Sequence, residues 1–362
     1  MAEHVLIAGA TGVVGFAAMK HFSAQADCRV TAVSRRRPHE TFGARFHSLD
    51  LTDGRACADL CASLGGVTRL VYAALYEKQG LVPGWLEQDQ IETNQQMLEN
   101  LFEPLERTSP ALRHVALLQG TKAYGAHVGR VPIPARENRS ELRDVPNFYW
   151  LQEDYLRARQ DGKGWRWTIL RPQVIFGMSL GAPMNLIPAL GVYAALRKQR
   201  GEPLAFPGGL GPVLEAVDAD LLARAIDWAG SSSEALNEIF NVTNGDVFAW
   251  QEIWPAIADS LGMEPGDPDP ERLGESMPAR AAEWEAIREK HDLVSPGLAE
   301  FVGESFHYAD FCLAFGARGG LPPVLVSTIK LRQAGFGESM DTEAMFRKWF
   351  RLFQDQRLLP SV

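Results

Sequence analysis

The sequence predicts an α/β fold: a Rossmann-type, doubly wound parallel sheet carrying a smaller, mainly helical C-terminal lobe. Three observations predict it. Seven short runs rich in β-branched and other apolar residues recur with helix-length segments between them, and parallel neighbours need such crossovers, which are usually helices. A glycine-rich turn follows the first run directly. After about Gly177 the strand rhythm thins, proline and glycine rise, and amphipathic helical windows take over.

In order, the runs are His4–Ala8, Arg29–Val33, Arg45–Leu49, Arg69–Ala73, His114–Gln119, Trp167–Arg171 and Ile239–Thr243. Phe16–Phe22 carries a helical pattern after the first of them. Trp250–Leu261, Pro278–Lys290 and Thr342–Phe353 read as amphipathic helices of the later lobe. The stretch from Glu264 to Pro270 is a polar, proline-rich loop with no chemistry in it. The seventh run lies beyond the change of rhythm, so the two parts interleave. Residues 1–177 form the sheet domain, 212–248 return a later strand and helix to it, and 178–211 with 249–362 form the substrate lobe.

Bulk properties narrow the partners. The 362 residues are 46% hydrophobic and 22% charged, enough to bury a core. A formal charge of -9 repels polyanions, which argues against nucleic acid. No stretch of 18 apolar residues occurs, and Met1-Ala2-Glu3-His4 leads straight into a strand pattern. Membrane spanning and secretion are therefore not expected, and a cytoplasmic protein is. Cys28, Cys57, Cys61 and Cys312 fit no zinc or redox spacing and read as reduced, mostly packed thiols. The eight histidines show no ligand spacing, so no metal site is expected.

The first strand runs into Gly9-Ala10-Thr11-Gly12-Val13-Val14-Gly15, and a helix follows. Strand, glycine turn and helix arrive in the order a pyrophosphate site needs: Gly9 for the tight turn, Gly12 for close backbone approach, Gly15 for helix packing, and the helix N-terminus for free N–H groups. Thr11, Val13 and Val14 belong to the same cradle. This Gly-x-x-Gly-x-x-Gly spacing is the short-chain dehydrogenase variant of the dinucleotide fingerprint. After the second strand the chain reads Val33-Ser34-Arg35-Arg36-Arg37, with no acidic residue to accept from ribose hydroxyls. Arg35 and Arg36, beside Ser34, suit a 2′-phosphate and so NADPH over NADH, against a plainly solvated basic turn. Asp50 and Leu51 suit an adenine-edge contact; Asp50 reads equally as a helix cap, for which Thr52 or Asp53 is better placed. Ala73 and Gln119 end their strands at the cofactor side, and Pro172, Val174 and Ile175 stand where a nicotinamide ring would be backed, or where a core strand simply ends.

A typical short-chain dehydrogenase has Tyr-x-x-x-Lys on one helix, the lysine lowering the phenol pKa. Here Tyr149 opens a helical window, but four residues on stands Glu153. Lys122 instead follows the strand His114–Gln119, in Gly120-Thr121-Lys122-Ala123-Tyr124, past the sheet edge where doubly wound folds bind ligands. Taken alone, Tyr149 reads also as a packing aromatic beside Phe148 and Trp150, and Lys122 as a surface lysine. Glu153 and Asp154 point to different helix faces and read as solvent or cap contacts.

With these residues the chain resembles the progesterone 5β-reductase/iridoid synthase-like enone reductases, a divergent branch of the extended short-chain dehydrogenases. The resemblance rests on Gly9/Gly12/Gly15, Arg35-Arg36, Lys122/Tyr124 and Asn147–Asp154, extends through Arg171–Gly177, Met184–Leu186 and Asn244–Trp250, and weakens after about Trp254. It implies an NADPH-dependent enzyme that reduces the activated C=C of α,β-unsaturated ketones or aldehydes, with 3-oxo-Δ4-steroids among the candidates. It implies Tyr149 as the group that stabilises the enolate oxygen and Lys122 as its electrostatic support. Tyr124, Trp150, Met184 and Asn185 become candidate pocket wall, with Val192, Tyr193, Trp250 and the aromatics near Phe306–Phe315 weaker candidates. Superfamily membership implies a homodimer.

The chain departs from the plant pattern around the lysine, reading Leu118-Gln119-Gly120-Thr121-Lys122-Ala123-Tyr124 where plant members read Gln-Thr-Gly-Arg-Lys-His-Tyr. The Lys122-to-Tyr149 interval is a little shorter than theirs, and a late pocket aromatic is replaced around Pro322–Leu325. These changes bear on the substrate rather than the reaction. Two alternatives stand beside the enone reductase: an NAD(P)-dependent epimerase, dehydratase or carbonyl reductase of the same superfamily, and a non-catalytic NADPH-binding regulator.

Overall fold

The computed structural model describes residues 3–129 and 131–362. The N-terminal reading on Met1 and Ala2 lies outside the described residues. The strands in chain order are β1 (Glu3–Ala8), β2 (Cys28–Ser34), β3 (Arg45–Ser48), β4 (Arg69–Tyr72), β5 (His114–Leu118), β6 (Arg166–Pro172), β7 (Val174–Phe176), β8 (Leu204–Ala205), β9 (Ala216–Asp218), β10 (Glu238–Val242) and β11 (Pro265–Gly266). Seven of these make one sheet in the order β10-β6-β5-β4-β1-β2-β3, every pair parallel. All seven sequence runs join it.

Helices cover both faces. They are α1 (Val13–Ser23), α2 (Gly54–Leu64), α3 (Gln88–Thr108), α4 (Phe148–Gln160), α5 (Leu186–Gln199), α6 (Ala219–Ser231) and α7 (Trp250–Ser260), then α8 (Leu273–Ser276), α9 (Ala281–Lys290), α10 (Leu298–Val302), α11 (Ser305–Cys312), α12 (Ile329–Gln333) and α13 (Thr342–Asp355). The period-2 alternation of β1 divides the core. Val5 and Ile7 pack with α1 and α6, whereas Leu6 and Ala8 face Leu98, Leu101 and Phe102 of α3. The first of these clusters runs without a break into the helical lobe through Leu186, Trp250, Trp284, Phe346 and Phe350. One core therefore serves both parts, and the lobe is not a loosely docked module.

Caps fix where the functional helices begin. Asn147 accepts from Tyr149 N at 3.1 Å to start α4, and Asp53, not Asp50, caps α2 through Ala56 N. Asp218 caps α6 through Leu221 N and also accepts from Trp349 Nε1 of α13 at 3.0 Å, which ties the last helix to the sheet domain. Two features differ from the sequence reading. Pro265–Gly266, inside the proline-rich loop, pairs with Leu204–Ala205, and Val174–Phe176 pairs with Ala216–Asp218, as two small extra sheets. Runs of two or three residues are too short for a period to register. All four cysteines are free, three of them buried.

Candidate functional site

The strand order reverses between β1 and β4, which opens a crevice at the C-terminal ends of the parallel strands. The glycine turn lies in it. Gly9 has φ +90°, and a Cβ there would stand 2.7 Å from the Ala73 backbone at the end of β4; a Cβ on Gly15 would collide with the Gly9 carbonyl oxygen. The turn is thus pressed against both its own helix and the neighbouring strand, which only glycine permits. No side chain caps α1, and its first turn carries no acidic residue. Its leading N–H groups and positive end are left for an anion.

A single cavity of about 850 Å³ runs from this turn across the crevice. Gly9, Thr11, Gly12, Val13 and Val14 line one end, and Ser34, Arg35 and Arg36 with Asp50 and Leu51 line the flank beyond β2. The backbone of the arginine turn is fixed locally: Ser34 Oγ donates to the Arg36 carbonyl at 2.6 Å and Ser48 Oγ to that of Arg35 at 2.8 Å. Arg36 Nη2 donates to the Gly181 carbonyl at 3.0 Å. Neither guanidinium forms an ion pair among the described residues; Arg35 acts on the Asp50 carboxyl only at longer range, and both cations line the cavity edge. Asp50 Oδ1 is taken by Thr52 N and Oγ1 at 3.0 and 2.8 Å, hydrogen bonds that hold its carboxyl below the usual range. This closes a local turn and leaves one oxygen for a ligand. Uncapped helix, glycine cradle and the two guanidinium groups together fit a nicotinamide dinucleotide.

Further along, Ala73, Gln119, Pro172, Val174 and Ile175 line the middle of the cavity. Gln119 is held on both sides, donating to the Tyr149 carbonyl at 3.2 Å and accepting from Arg171 Nε at 2.7 Å. Lys122 and Tyr149 both line the far end. Lys122 Nζ lies 4.3 Å from the Trp85 ring centre, 5.8 Å from that of Phe148 and 6.0 Å from that of Tyr149. Burial, reinforced by the Glu77 charge and only partly offset by Arg171, holds the Tyr149 phenol well above its usual range. It is a neutral hydrogen-bond donor. Burial pulls Lys122 down, and Glu77 opposes that.

Four expected site residues fall elsewhere. Gly15 does not line the cavity and acts through packing alone. Tyr124 is buried with its Oη donating to Asn241 Oδ1 at 2.6 Å and its ring beside Arg171. Trp150 donates to the Val145 carbonyl and lies under Arg143, 4.9 Å from ring centre to Cζ. Asn185 caps α5 and donates to the Gly177 carbonyl at 3.0 Å. Of the four main wall candidates Met184 alone reaches the cavity, and of the weaker ones Tyr308 and Phe311 do. Val192, Tyr193 and Trp250 are core. An aromatic or amide in a helical segment looks the same in sequence whichever way it points. Glu153 also corrects the sequence reading: its side chain is 1% exposed and pairs with Arg171, Arg143 and Arg157 at 3.1, 2.8 and 3.0 Å. Asp154, more exposed, pairs with Arg143 and no other cation among the described residues.

Sequence reasoning missed Glu77, Trp85 and His127, which line the lysine end; Tyr308 and Phe311, from the Phe306–Phe315 stretch of weaker candidates, line it too. Glu77 lies on the loop after β4 and Trp85 in the short 3-10 turn Val82–Leu86 that follows it, so no short motif joins them to Lys122. Among the described residues no group of three or more His, Cys, Asp or Glu side chains is arranged to hold a metal, and no helix is long and apolar enough to cross a membrane.

Fold and cavity define the extended short-chain dehydrogenase class. A UDP-glucose 4-epimerase from Thermus thermophilus, solved with NAD, superposes with a TM-score of 0.67 over 97% of this chain and 99% of its own, at 19% identity. Residues 80–311 match the PRISE-like Rossmann-fold domain. An (S)-8-oxocitronellyl enol synthase from Nepeta cataria is 32% identical over 98% of this chain and 91% of its own. A 3-oxo-Delta(4,5)-steroid 5-beta-reductase from Arabidopsis thaliana is 30% identical over 98% and 92%. The chain belongs to the PRISE family, the progesterone 5β-reductase/iridoid synthase-like branch, and is an oxidoreductase of the short-chain dehydrogenase type.

Proposed function

We propose that the protein uses NADPH to reduce the conjugated C=C of α,β-unsaturated ketones or aldehydes. The observation that carries this reading is that Lys122, from the segment after β5, and Tyr149, from the first turn of α4, line the cavity that begins at the glycine turn. Its relatives' names, an oxocitronellyl enol synthase and a Δ4-steroid 5β-reductase, support the same reaction class. Arg35 and Arg36, neither in an ion pair among the described residues, support NADPH over NADH.

When bound, the dinucleotide supplies a hydride to the β-carbon. The chain's own residues act on the oxygen at the other end of the conjugated system. There charge develops as the double bond is consumed, and the Tyr149 phenol, kept neutral, donates a hydrogen bond to it; such a donor is worth about 2.7–4 kcal/mol in the transition state. Lys122 places a cation in the same pocket. Trp85, Phe148, Phe311 and Val324 line that pocket with apolar surface, which excludes water and strengthens both terms. The α-carbon takes its proton from solvent. The same reading makes the protein a cytoplasmic homodimer acting on small molecules, for which gel filtration gives the direct check.

The test is NADPH oxidation with 2-cyclohexen-1-one, progesterone and 8-oxogeranial, followed by product identification. A saturated ketone or aldehyde is expected. An allylic alcohol would make the protein a carbonyl reductase, and tight NADPH binding without turnover would make it a regulator.

A further inference from the structure

The cavity contains a buried carboxylate that neither the phosphate cradle nor the phenol requires. Glu77 has a side chain 2% exposed, and its Oε1 stands 3.6 Å from Nζ of Lys122, itself 14% exposed. Oε2 accepts from Trp85 Nε1 at 3.1 Å and Gln90 Nε2 at 2.7 Å, while Oε1 has no hydrogen bond among the described residues. The backbone on either side is pinned to α3, through Tyr76 N to Asn94 Oδ1 at 2.9 Å and Lys78 N to Gln90 Oε1 at 3.1 Å. One oxygen is thus fixed rigidly and the other is left beside the ammonium.

Taking an ammonium and a carboxylate out of water costs several kcal/mol per ion, and neither persists charged without the other. Burial alone pushes Glu77 toward the neutral acid and Lys122 toward the neutral amine, and each opposes that shift in its partner. Other groups around them do not substitute. His127, whose ring nitrogens have no partner among the described residues, is pulled down to about 4 by burial and by Lys122, and the phenols of Tyr149 and Tyr308 are both held up by burial. Glu304, which also lines the cavity, accepts from Gly80 N at 2.9 Å and stands 3.9 Å from His307.

We propose that Glu77 is a positioning residue that keeps Lys122 protonated and holds Nζ over the Trp85 ring, inside the substrate end of the cavity. It acts on substrate only through Lys122. Its kinetic consequence rests on the enone-reductase reading; the ion pair itself does not.

The experiment titrates Lys122 in the full-length protein after reductive methylation with a carbon-13 label, the signal assigned by its loss in Lys122→Met. Glu77→Gln keeps an acceptor oxygen for Trp85 and Gln90 and removes the charge. Its Lys122 midpoint is expected to fall by about one pH unit or more, a tenfold change in the protonation constant, with Glu77→Asp restoring part of the shift. The kcat of Glu77→Gln on an enone is expected to fall steeply with rising pH and to recover in acid, whereas a merely structural role would lower it equally at every pH. An unchanged Lys122 midpoint, or a uniform loss, overturns the proposal. If Glu77→Gln does not fold, infrared spectroscopy of Lys122→Met decides: a protonated-carboxyl band absent from wild type and removed by the further change Glu77→Gln supports the pair, and no such band overturns it. A wild type that turns over no enone sinks the reductase reading, while the titration still judges the pair.

Discussion

The Lys122 ammonium stands 6.0 Å from the centre of the Tyr149 ring, and among the described residues no hydrogen bond joins the two side chains. In a Tyr-x-x-x-Lys helix the lysine lowers the phenol pKa. Here burial and Glu77 raise it, and the lysine's nearest charged partner is a carboxylate. The oxygen of a bound carbonyl would meet a neutral donor and a separate cation, an arrangement that stabilises an enolate without requiring phenolate chemistry.

Tyr149→Phe removes that donor. The expected loss in kcat is about 10²–10³-fold, with NADPH affinity unchanged by fluorescence titration. Gly120→Ala offers a subtler probe, because its Cβ would lie 3.3 Å from Tyr149 Oη and 3.4 Å from the Pro172 carbonyl oxygen. A smaller loss of kcat, about tenfold, is expected as the phenol gives way.

On the NADPH reading, the arginine turn is what selects the cofactor. Hydrogen bonds to charged groups contribute about 1.5–3 kcal/mol, so Arg35→Ala and Arg36→Ala should each weaken NADPH binding about 10–100-fold and leave NADH nearly unchanged. Equal loss for both dinucleotides, measured by calorimetry, removes the phosphate assignment.

Arg171 is fully buried and meets Glu153 at 3.1 Å and Glu141 at 2.8 Å. Glu153→Ala leaves that guanidinium short of a buried partner, for which about 3–5 kcal/mol of destabilisation is expected. Urea denaturation measures it; a loss below about 1 kcal/mol would mean that Glu141 compensates.

Stability should also carry a pH signature from Glu215. Burial pushes its carboxyl up to about 7, against the Val326 N hydrogen bond at 2.7 Å. The folded state therefore holds a proton that the unfolded chain releases near 4.5. The contribution is complete below about pH 4.5 and is lost as pH rises through 7. Glu215→Gln should flatten the slope of stability between those limits; an identical slope in thermal melts would reject the assignment.

Sequence alone made the sheet legible because each of its strands is a short apolar run bounded by turn residues, and because the glycine turn sits where strand meets helix. The segments that line one end of the cavity were legible for the same reason: the glycine turn and Arg35-Arg36 are local motifs. Lys122 and Tyr149 were singled out by position, past the sheet edge and at a helix start, but their joint role was implied only by the family resemblance, since their meeting in one cavity depends on two segments coming together in space. Glu77 and Trp85 were beyond reach, being contributed by the segment between β4 and α3 with no motif linking them to Lys122, while Tyr308 and Phe311 were legible only as members of an aromatic-rich stretch. Tyr124, Trp150 and Asn185 failed for a complementary reason: residue type and helical spacing do not say whether a polar aromatic or amide faces a cavity, a buried arginine or a helix end.

The return of β10 to pair with β6 has a practical side. A polypeptide cut after Gly177 would keep six of the seven strands but bare the outer rim of β6, a row of unmet N–H and C=O groups that invites strand addition by a neighbouring copy. Anyone wishing to graft a different specificity onto this scaffold should therefore transplant the lobe as separate inserts, leaving Glu238–Val242 in place to seal that border.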